Sequence, residues 1–216
     1  MSYRVVLLGP PASGKGTAAM ALSVTLQVAH VSTGQLFRET IRRGGPTGQA
    51  AQQFIEKGQL VPDAVVIAIV RGWLEDHGNR PEFIFDGFPR TTGQAVALDA
   101  MMRERSLPAP VVILIEVPPE VTLERILGRL GCETCGALYH ATFDPPKRAG
   151  ECDKCGSALG RRADDNETTV RERLRWYEEL TLGVVAHYAK AAGLRRVDGC
   201  RGRQQVFADI LRIVKG

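Results

Sequence analysis

A glycine-rich segment near the start of the chain carries a lysine at a spacing typical of a phosphate-binding loop. The segment GPPASGKGT, residues 9–17, fits the first seven positions of the pattern G-x-x-x-x-G-K-[ST], with Lys15 as the lysine. Small residues in such a loop let backbone N–H groups surround phosphate oxygens, and the N-terminus of the following helix adds partial positive charge. The hydroxyl stands one residue late, at Thr17, so the segment predicts a phosphate loop more strongly than a direct threonine–Mg²⁺ bond. A glycine turn without a ligand is the alternative, which the strand and helix expected on either side disfavour.

Four of the five cysteines stand in two Cys-x-x-Cys pairs, CETC at residues 132–135 and CDKC at residues 152–155. In a reducing compartment two such pairs indicate a metal site before a disulfide. Four thiolates complete a tetrahedral Zn²⁺ shell with no open position for water, which makes the site structural. Iron in the same shell and a redox-active dithiol are the alternatives. The predicted ligands are Cys132, Cys135, Cys152 and Cys155, and each pair is followed by a glycine that admits a tight turn, Gly136 and Gly156.

The elements that must position these groups alternate along the chain. Continuous apolar runs, typical of strands buried on both faces, occur at residues 3–9, 82–87 and 111–117, with shorter candidates at 30–32 and 194–199. Helices are predicted at residues 18–28, 35–43, 49–57, 62–76, 93–105, 119–129, 165–192 and 204–215. This order indicates an α/β fold, with a doubly wound five-stranded parallel sheet and helices on both faces, as in P-loop NTPases. Residues 130–165 are too long for a simple connection and are predicted to form a small insert around the cysteines.

The composition limits the classes of function. The chain has 216 residues, 44% of them hydrophobic, and a net charge of +4. No apolar run approaches the roughly 18 residues of a membrane-spanning helix, and the first residues lack the features of a signal peptide. We therefore expect a cytoplasmic protein without membrane or nucleic-acid partners. Cys200, which stands outside the two pairs, is expected to be a small buried residue or to lie beside a bound nucleotide.

Several motifs together resemble the adenylate kinases, of the nucleoside monophosphate kinase family, in the long form with a zinc-binding lid. They are GKGT at residues 14–17, HVSTGQLFRETIRRGGPTG at 30–48, EKGQLVPD at 56–63, FDGFPRTTGQA at 85–95, LERILGR at 123–129, YHATFDPPK at 139–147 and RADDNETTVRERL at 162–174. The matches follow the family's order over nearly the whole chain. The resemblance implies reversible transfer of the γ-phosphoryl group of MgATP to AMP, giving two ADP, with a role in adenine nucleotide homeostasis.

The resemblance also implies three structural units and two metals. The core would comprise residues 1–31, 62–129 and 166–216, the AMP-binding insert residues 32–61, and the lid residues 130–165. Mg²⁺ would accompany ATP, and Zn²⁺ would hold the lid together. The partners would be ATP, AMP and ADP, and the protein would be monomeric.

Site residues follow from the resemblance position by position. The ATP site would comprise Ala12, Ser13, Gly14, Lys15, Gly16, Thr17, Arg125, Arg129, Leu138, Tyr139 and Arg201. The AMP site would comprise Thr33, Arg38, Gln59, Leu60, Val61, Gly87, Phe88, Pro89, Arg90, Gln94, Arg162 and Arg173. The catalytic groups would be Lys15, Asp86, Arg90, Arg129, Arg162 and Arg173, with Asp86 holding the water shell of Mg²⁺. In relatives the Phe88–Pro89 bond is cis, and the same is expected here.

Three positions depart from the family pattern. Ala12 replaces a glycine of the phosphate loop, Gln35 replaces an aspartate near the Mg²⁺ waters, and Gly93 replaces a frequent proline. None of these changes removes a charge that phosphoryl transfer needs, because that reaction depends on positioned substrates and neutralised phosphate charge. Two alternative functions stay open: a kinase with another monophosphate acceptor or GTP as donor, and a zinc-ribbon NTPase that binds nucleic acid.

Overall fold

A computed structural model describes residues 3–56, 60–161, 167–191 and 193–216. The main sheet has five parallel strands in the order β2-β3-β1-β4-β8. Their bounds are Arg4–Leu8 for β1, Ala29–Ser32 for β2, Phe83–Asp86 for β3, Val111–Glu116 for β4 and Leu194–Asp198 for β8. The predicted five-stranded α/β sheet is confirmed.

Helices cover both faces of this sheet because its strands are apolar on both sides. Val6 and Leu8 of β1 face one core cluster, and Val5 and Leu7 face the other. The first cluster is completed mainly by α2 (Thr33–Arg43), α4 (Asp63–Asp76), α5 (Thr92–Glu104) and α8 (Leu182–Lys190), and the second by α1 (Lys15–Leu26) and α9 (Arg203–Lys215). The continuous apolar runs in the sequence therefore reflect burial on two faces.

The remaining helices connect these layers. Helix α3 spans Pro46–Glu56, α6 spans Pro119–Leu127 and α7 spans Glu167–Trp176. The predicted single helix over 165–192 is wrong in one respect, since a π-helical turn, Tyr177–Thr181, separates α7 from α8. Helix α1 also starts earlier than predicted, at Lys15, and Pro62 caps α4 instead of forming its first residue.

The insert that holds the cysteines has its own small antiparallel sheet. Strands β5 (Arg129–Cys132), β6 (Leu138–His140) and β7 (Leu159–Gly160) pair in the order β6-β5-β7. Its core contains only Cys132, Ala137 and Cys152 as buried apolar side chains among the described residues, with Tyr139 and Leu159 packed against them. Such a small core needs another source of stability. Within the part of the chain that the structure describes, no helix has the length and apolar character to cross a membrane.

Candidate active site

The carboxyl ends of the five parallel strands meet at one edge of the sheet, and two predicted binding loops begin there. Strand β1 leads into the phosphate loop, β2 into Thr33, and β3 ends at Asp86. Parallel α/β sheets bind ligands in the crevice outside this edge. The fold therefore brings the predicted phosphate loop and the predicted acceptor loop together.

The phosphate loop is compact and conformationally strained at one residue. The chain turns sharply at Gly9, where a Cβ would lie 2.5 Å from the carbonyl oxygen of Ile115. Ser13 is buried, and its N–H donates to the carbonyl of Pro10 over 3.2 Å. Ala12 has a φ of 53°, in the left-handed region that glycine adopts more easily. The resemblance implied a glycine at this position, and the φ of Ala12 is one that glycine would adopt with less strain.

Lys15 begins α1 and bends its side chain back across the loop. Its Nζ donates to the carbonyl oxygens of Gly9 and Pro10, both at 2.7 Å, and to Ser13 Oγ at 3.3 Å. Burial lowers the pKa of Lys15 to about 8, an effect that Asp86 opposes and Arg90 reinforces. The ammonium group is therefore held where several oxygen acceptors converge.

Asp86 lies beside the phosphate loop, next to His30, which is not among the site residues predicted from the sequence. A Cβ on Gly16 would be 3.1 Å from Asp86 Oδ2, and His30 Nε2 lies 3.6 Å from the same oxygen. Burial alone would raise the pKa of Asp86, but His30 and Lys15 together hold that pKa below its ordinary value. The carboxylate therefore stays ionised, which suits a group that receives hydrogen bonds from the waters of a divalent cation. Only the pairing of β2 with β3 reveals His30, because its partner is far away in the sequence.

The acceptor loop after β3 is tied to the start of α2. Arg90 donates from Nε to the carbonyl of Gly87 over 2.9 Å, and its Nη2 lies 3.5 Å from Thr33 Oγ1. A Cβ on Gly87, where φ is 84°, would lie 2.8 Å from Thr33 Oγ1, so the loop requires glycine there. The Phe88–Pro89 bond is cis, as the resemblance implied. Thr181, in the π-helical turn, donates to the carbonyl of Arg90 over 3.2 Å and was also missed in the sequence.

Gln94 is buried, and each end of its side-chain amide has one hydrogen-bond partner. Its Nε2 donates to Asp63 Oδ1 over 2.7 Å, and its Oε1 accepts from the N–H of Arg90 over 2.8 Å. Thr91 caps α5 by accepting from the N–H of Gln94, and its own hydroxyl donates to Asp63 Oδ2 over 2.5 Å. Asp63 and Thr91 are absent from the residues selected in the sequence.

The structure describes only some of the other residues predicted for the acceptor side. Arg38 lies on α2, Leu60 is 44% exposed, and Val61 packs against the main core. Gln59 and Arg162 lie outside the described residues, as does the side chain of Arg173, whose backbone is in α7.

A second group of predicted residues surrounds the ends of β4 and β8. Arg125 Nη2 donates to the carbonyl of Gly199 over 2.8 Å, and Arg201 pairs with Asp209 at 2.7 Å. An open cavity of about 430 Å³ lies beside them, lined by Glu116, Val117, Pro118, Asp198 and Cys200. Cys200 is exposed, so the expectation of a small buried residue is wrong and its alternative, a position beside the nucleotide, stays a prediction.

The insert touches the core at its hydrogen bond between His140 and Glu124 and at one ion pair. Arg129, Leu138 and Tyr139 lie on its paired strands β5 and β6, and Arg129 is opposite His140. An ion pair at 2.6 Å joins Asp144 of the insert to Arg203 at the start of α9. The insert thereby contacts the same side of the molecule as the cavity.

The four paired cysteines converge as the spacing predicted. Their Sγ atoms all lie within 4.8 Å of one another, with 3.4 Å between Cys132 and Cys155 and 3.5 Å between Cys135 and Cys152. A Zn–S bond of about 2.3 Å in a tetrahedron corresponds to S–S distances of about 3.8 Å, whereas a disulfide needs about 2.05 Å. The two glycines that follow the pairs both have φ of 72°, as the tight turns require. The donor set therefore fits a tetrahedral metal ion, with two ligands buried and two exposed.

This sheet edge, with its phosphate loop and converging cationic groups, defines a P-loop protein that binds nucleotide phosphates. The sequence profile of the adenylate kinase family matches residues 7–193. The adenylate kinase of Moorella thermoacetica is 46% identical over 97% of this chain and 96% of its own length. That of Clostridium perfringens is 44% identical over 99% and 98%, and that of Syntrophobacter fumaroxidans 42% identical over 97% and 99%. The chain belongs to the adenylate kinase family, whose reaction is phosphoryl transfer between ATP and AMP, and it is therefore a phosphotransferase.

Proposed function

We propose that this chain catalyses the reversible transfer of the γ-phosphoryl group of MgATP to AMP, giving two ADP, and so balances adenine nucleotides. The observation that carries the proposal is the juxtaposition of Lys15, Asp86 and Arg90. The pKa of Lys15 responds to both of the other charges, so the three groups share one electrostatic environment. Lys15 belongs to the phosphate loop and Arg90 to the loop after the neighbouring strand, so one crevice can hold a donor and an acceptor.

On the donor side, we assign the phosphate loop to the ATP phosphates. Residues 12–17 supply backbone N–H groups, the start of α1 and the Lys15 ammonium group, which is a charge suited to the β- and γ-phosphates. The cavity beside Arg125 and Cys200 is proposed to take the adenine. Mg²⁺ would accompany ATP and neutralise phosphate charge, and we assign Asp86 as the carboxylate that would hold its waters.

On the acceptor side, we assign Arg90 and Arg38 to the phosphate of AMP and Gln94 to its base. A guanidinium can hold two phosphate oxygens at once, which fixes the direction of the attacking oxygen. The proposed binding groups also include Thr33, residues 59–61 and residues 87–89. Arg129, Arg162 and Arg173 are proposed to stabilise the transferring group.

The two inserts are proposed to exclude water. Phosphoryl transfer competes with hydrolysis unless the site closes over both substrates. Residues 32–61 would close over AMP and residues 130–165 over ATP. The contact between Asp144 and Arg203 supports a lid that reaches the core near the donor site.

The metal in the lid is proposed to be a structural Zn²⁺. Four sulfur ligands leave no open coordination position, so the ion would contribute folding free energy and not chemistry. Iron in the same shell is the second candidate. The monomeric state and the cytoplasmic location stay predictions.

The decisive experiment is an ADP-formation assay with ATP and each of AMP, UMP, CMP, GMP and IMP. We expect two ADP to form for each AMP consumed. We also expect AMP to be preferred over the other acceptors. A preference for another monophosphate, or for GTP as donor, would replace the proposed substrates and retain the reaction class. Salt-sensitive binding to DNA, without AMP-dependent consumption of ATP, would instead support the nucleic-acid-binding alternative.

A further inference from the structure

Asp63, the first residue of α4, is hydrogen-bonded to the buried side-chain amide of Gln94, beside the proposed acceptor site. Gln94 is 4% exposed and cannot exchange its partners freely with bulk water. One end of its amide meets Asp63 Oδ1 at 2.7 Å, and the other end meets the N–H of Arg90 at 2.8 Å. We propose that Asp63 is a positioning residue that makes the enzyme specific for adenine over 6-oxopurines, an inference that rests on the proposed role of Gln94.

The chemistry of the partners fixes the orientation of the amide. An ionised carboxylate only accepts hydrogen bonds, so the end of Gln94 that faces Asp63 must be its NH₂ group. A backbone N–H only donates, so the end that faces Arg90 must be the carbonyl oxygen. A turn of 180° about the last side-chain bond would place donor against donor and acceptor against acceptor.

The carboxylate itself is held in place by a second hydrogen bond. The hydroxyl of Thr91 donates to Asp63 Oδ2 over 2.5 Å, and Thr91 also caps the helix that carries Gln94. A Cβ on Gly93 would lie 3.1 Å from the same Oδ2, so glycine at this position leaves room for the carboxylate. The network therefore joins the start of α4, which follows the proposed AMP-binding insert, to the residue proposed to read the base.

An amide in this orientation retains one N–H and one acceptor site for a ligand. Adenine presents an amino donor at position 6 beside an acceptor at N1, which complements that pair. Hypoxanthine and guanine present a carbonyl acceptor at position 6 beside a donor at N1, which requires the opposite orientation. The orientation that Asp63 imposes therefore favours AMP and disfavours IMP and GMP.

The test compares kcat/KM for AMP and IMP in the full-length enzyme and in D63N. The amide introduced by D63N can offer either a donor or an acceptor to Gln94, so we expect the AMP-to-IMP ratio to fall about tenfold, mainly through a higher KM for AMP. D63E restores an acceptor-only partner and should recover part of the ratio. D76N changes a carboxylate at the other end of the same helix, where it pairs with Arg43 at 3.0 Å, and should leave the ratio unchanged.

The outcomes separate this inference from the proposed function. A variant that only weakens the fold lowers the melting temperature and reduces both kcat/KM values equally, and that result would overturn the inference. If Q94A loses discrimination while D63N keeps it, the role of Asp63 is wrong and the role of Gln94 stands. If Q94A itself keeps discrimination, the proposed base contact is wrong.

Should D63N fail to fold, NMR on the wild-type protein decides, because the Gln94 side-chain protons must exchange slowly with solvent. Rapid exchange of these protons would overturn the inference.

Discussion

The ammonium group of Lys15 donates to the carbonyl oxygen of Gly9 over 2.7 Å, across the loop that carries both residues. This contact matters because the same group is proposed to bind ATP phosphates. The carbonyl oxygens near Gly9 are neutral acceptors, whereas phosphate oxygens are charged and form stronger hydrogen bonds with an ammonium group. Lys15 is therefore kept inside the crevice, ready to exchange these partners for a ligand, and burial makes its proton easier to lose.

The first prediction concerns the pH dependence of ATP use. Because burial lowers the pKa of Lys15 to about 8, kcat/KM for ATP should fall as the pH rises through about 8. The decline of kcat should begin at higher pH, since bound phosphates favour the charged lysine. Steady-state kinetics between about pH 6.5 and 10 at saturating AMP would measure both. In K15R the guanidinium stays charged over this range, so any residual activity should lack the decline. A kcat/KM that stays constant over the whole range would contradict the assignment.

The same pKa shift predicts a contribution to stability with the opposite pH dependence. The folded state releases the Lys15 proton near pH 8 and the unfolded state near pH 10.5, so the unfolded state binds more protons between these values. This group therefore makes the free energy of unfolding rise with pH across that window. Urea unfolding of the wild-type protein and of K15M at several pH values would isolate the contribution. An identical pH dependence in the two proteins would contradict it.

The second prediction concerns Arg90. R90A removes the guanidinium proposed to hold the AMP phosphate, so turnover should fall by about 10²–10³-fold while the fold is retained. R71A is the matched control, because Arg71 is a surface arginine paired with Glu104 at 2.7 Å. The control should keep normal turnover, and both variants should show two-state melting close to that of the wild type. Turnover of R90A within a few-fold of wild type would show that Arg90 is structural.

The third prediction concerns the alanine in the phosphate loop. The left-handed conformation costs a residue with a Cβ about 1–2 kcal/mol, and the extra chain entropy of glycine costs about 0.4–1 kcal/mol. A12G should therefore stabilise the protein by about 0.5–1 kcal/mol, which is about 1–4 °C in Tm. Gln27 also has a positive φ, 56°, at the other end of α1, so Q27G is a control with the same conformation away from the phosphate loop. Both should raise Tm, and only A12G should lower KM for ATP.

Equal effects of A12G and Q27G on the KM for ATP would show that the methyl group of Ala12 does not limit phosphate binding. A lower Tm in both variants would show that the entropy of glycine outweighs the relief of the left-handed conformation. Differential scanning calorimetry and ATP titrations on the same samples distinguish these results.

Features that depend on local spacing could be predicted, and contacts made across the fold could not. The apolar run of β1, the glycine and lysine positions after it, and the four cysteine positions are each defined within a few residues. The sheet, the phosphate loop and the cysteine cluster could therefore be predicted. The π-helical turn before Leu182 was missed because one extra residue per turn barely alters a 3.6-residue apolar period. His30 and Asp63 acquire their partners only when strands and helices far apart in sequence pack together. The exposure of Cys200 likewise follows from the open cavity beside β4 and β8, which composition does not reveal.

The last prediction concerns the metal ion that we propose for the four-cysteine cluster of the lid. Cys152 is 2% exposed and lies in the small core of the insert, so removal of its thiolate should lose both a ligand and packing. Purified protein should contain about one Zn²⁺ per chain, and C152S should bind much less. Chelation should lower the melting temperature of the lid at concentrations that leave turnover at low temperature largely intact, because the proposed catalytic groups lie outside the cluster. C200S is the matched control, since Cys200 is exposed and outside the cluster, and it should keep its metal. Elemental analysis and calorimetry provide the measurements, and a metal-free protein with full thermal stability would show that the lid does not depend on the ion.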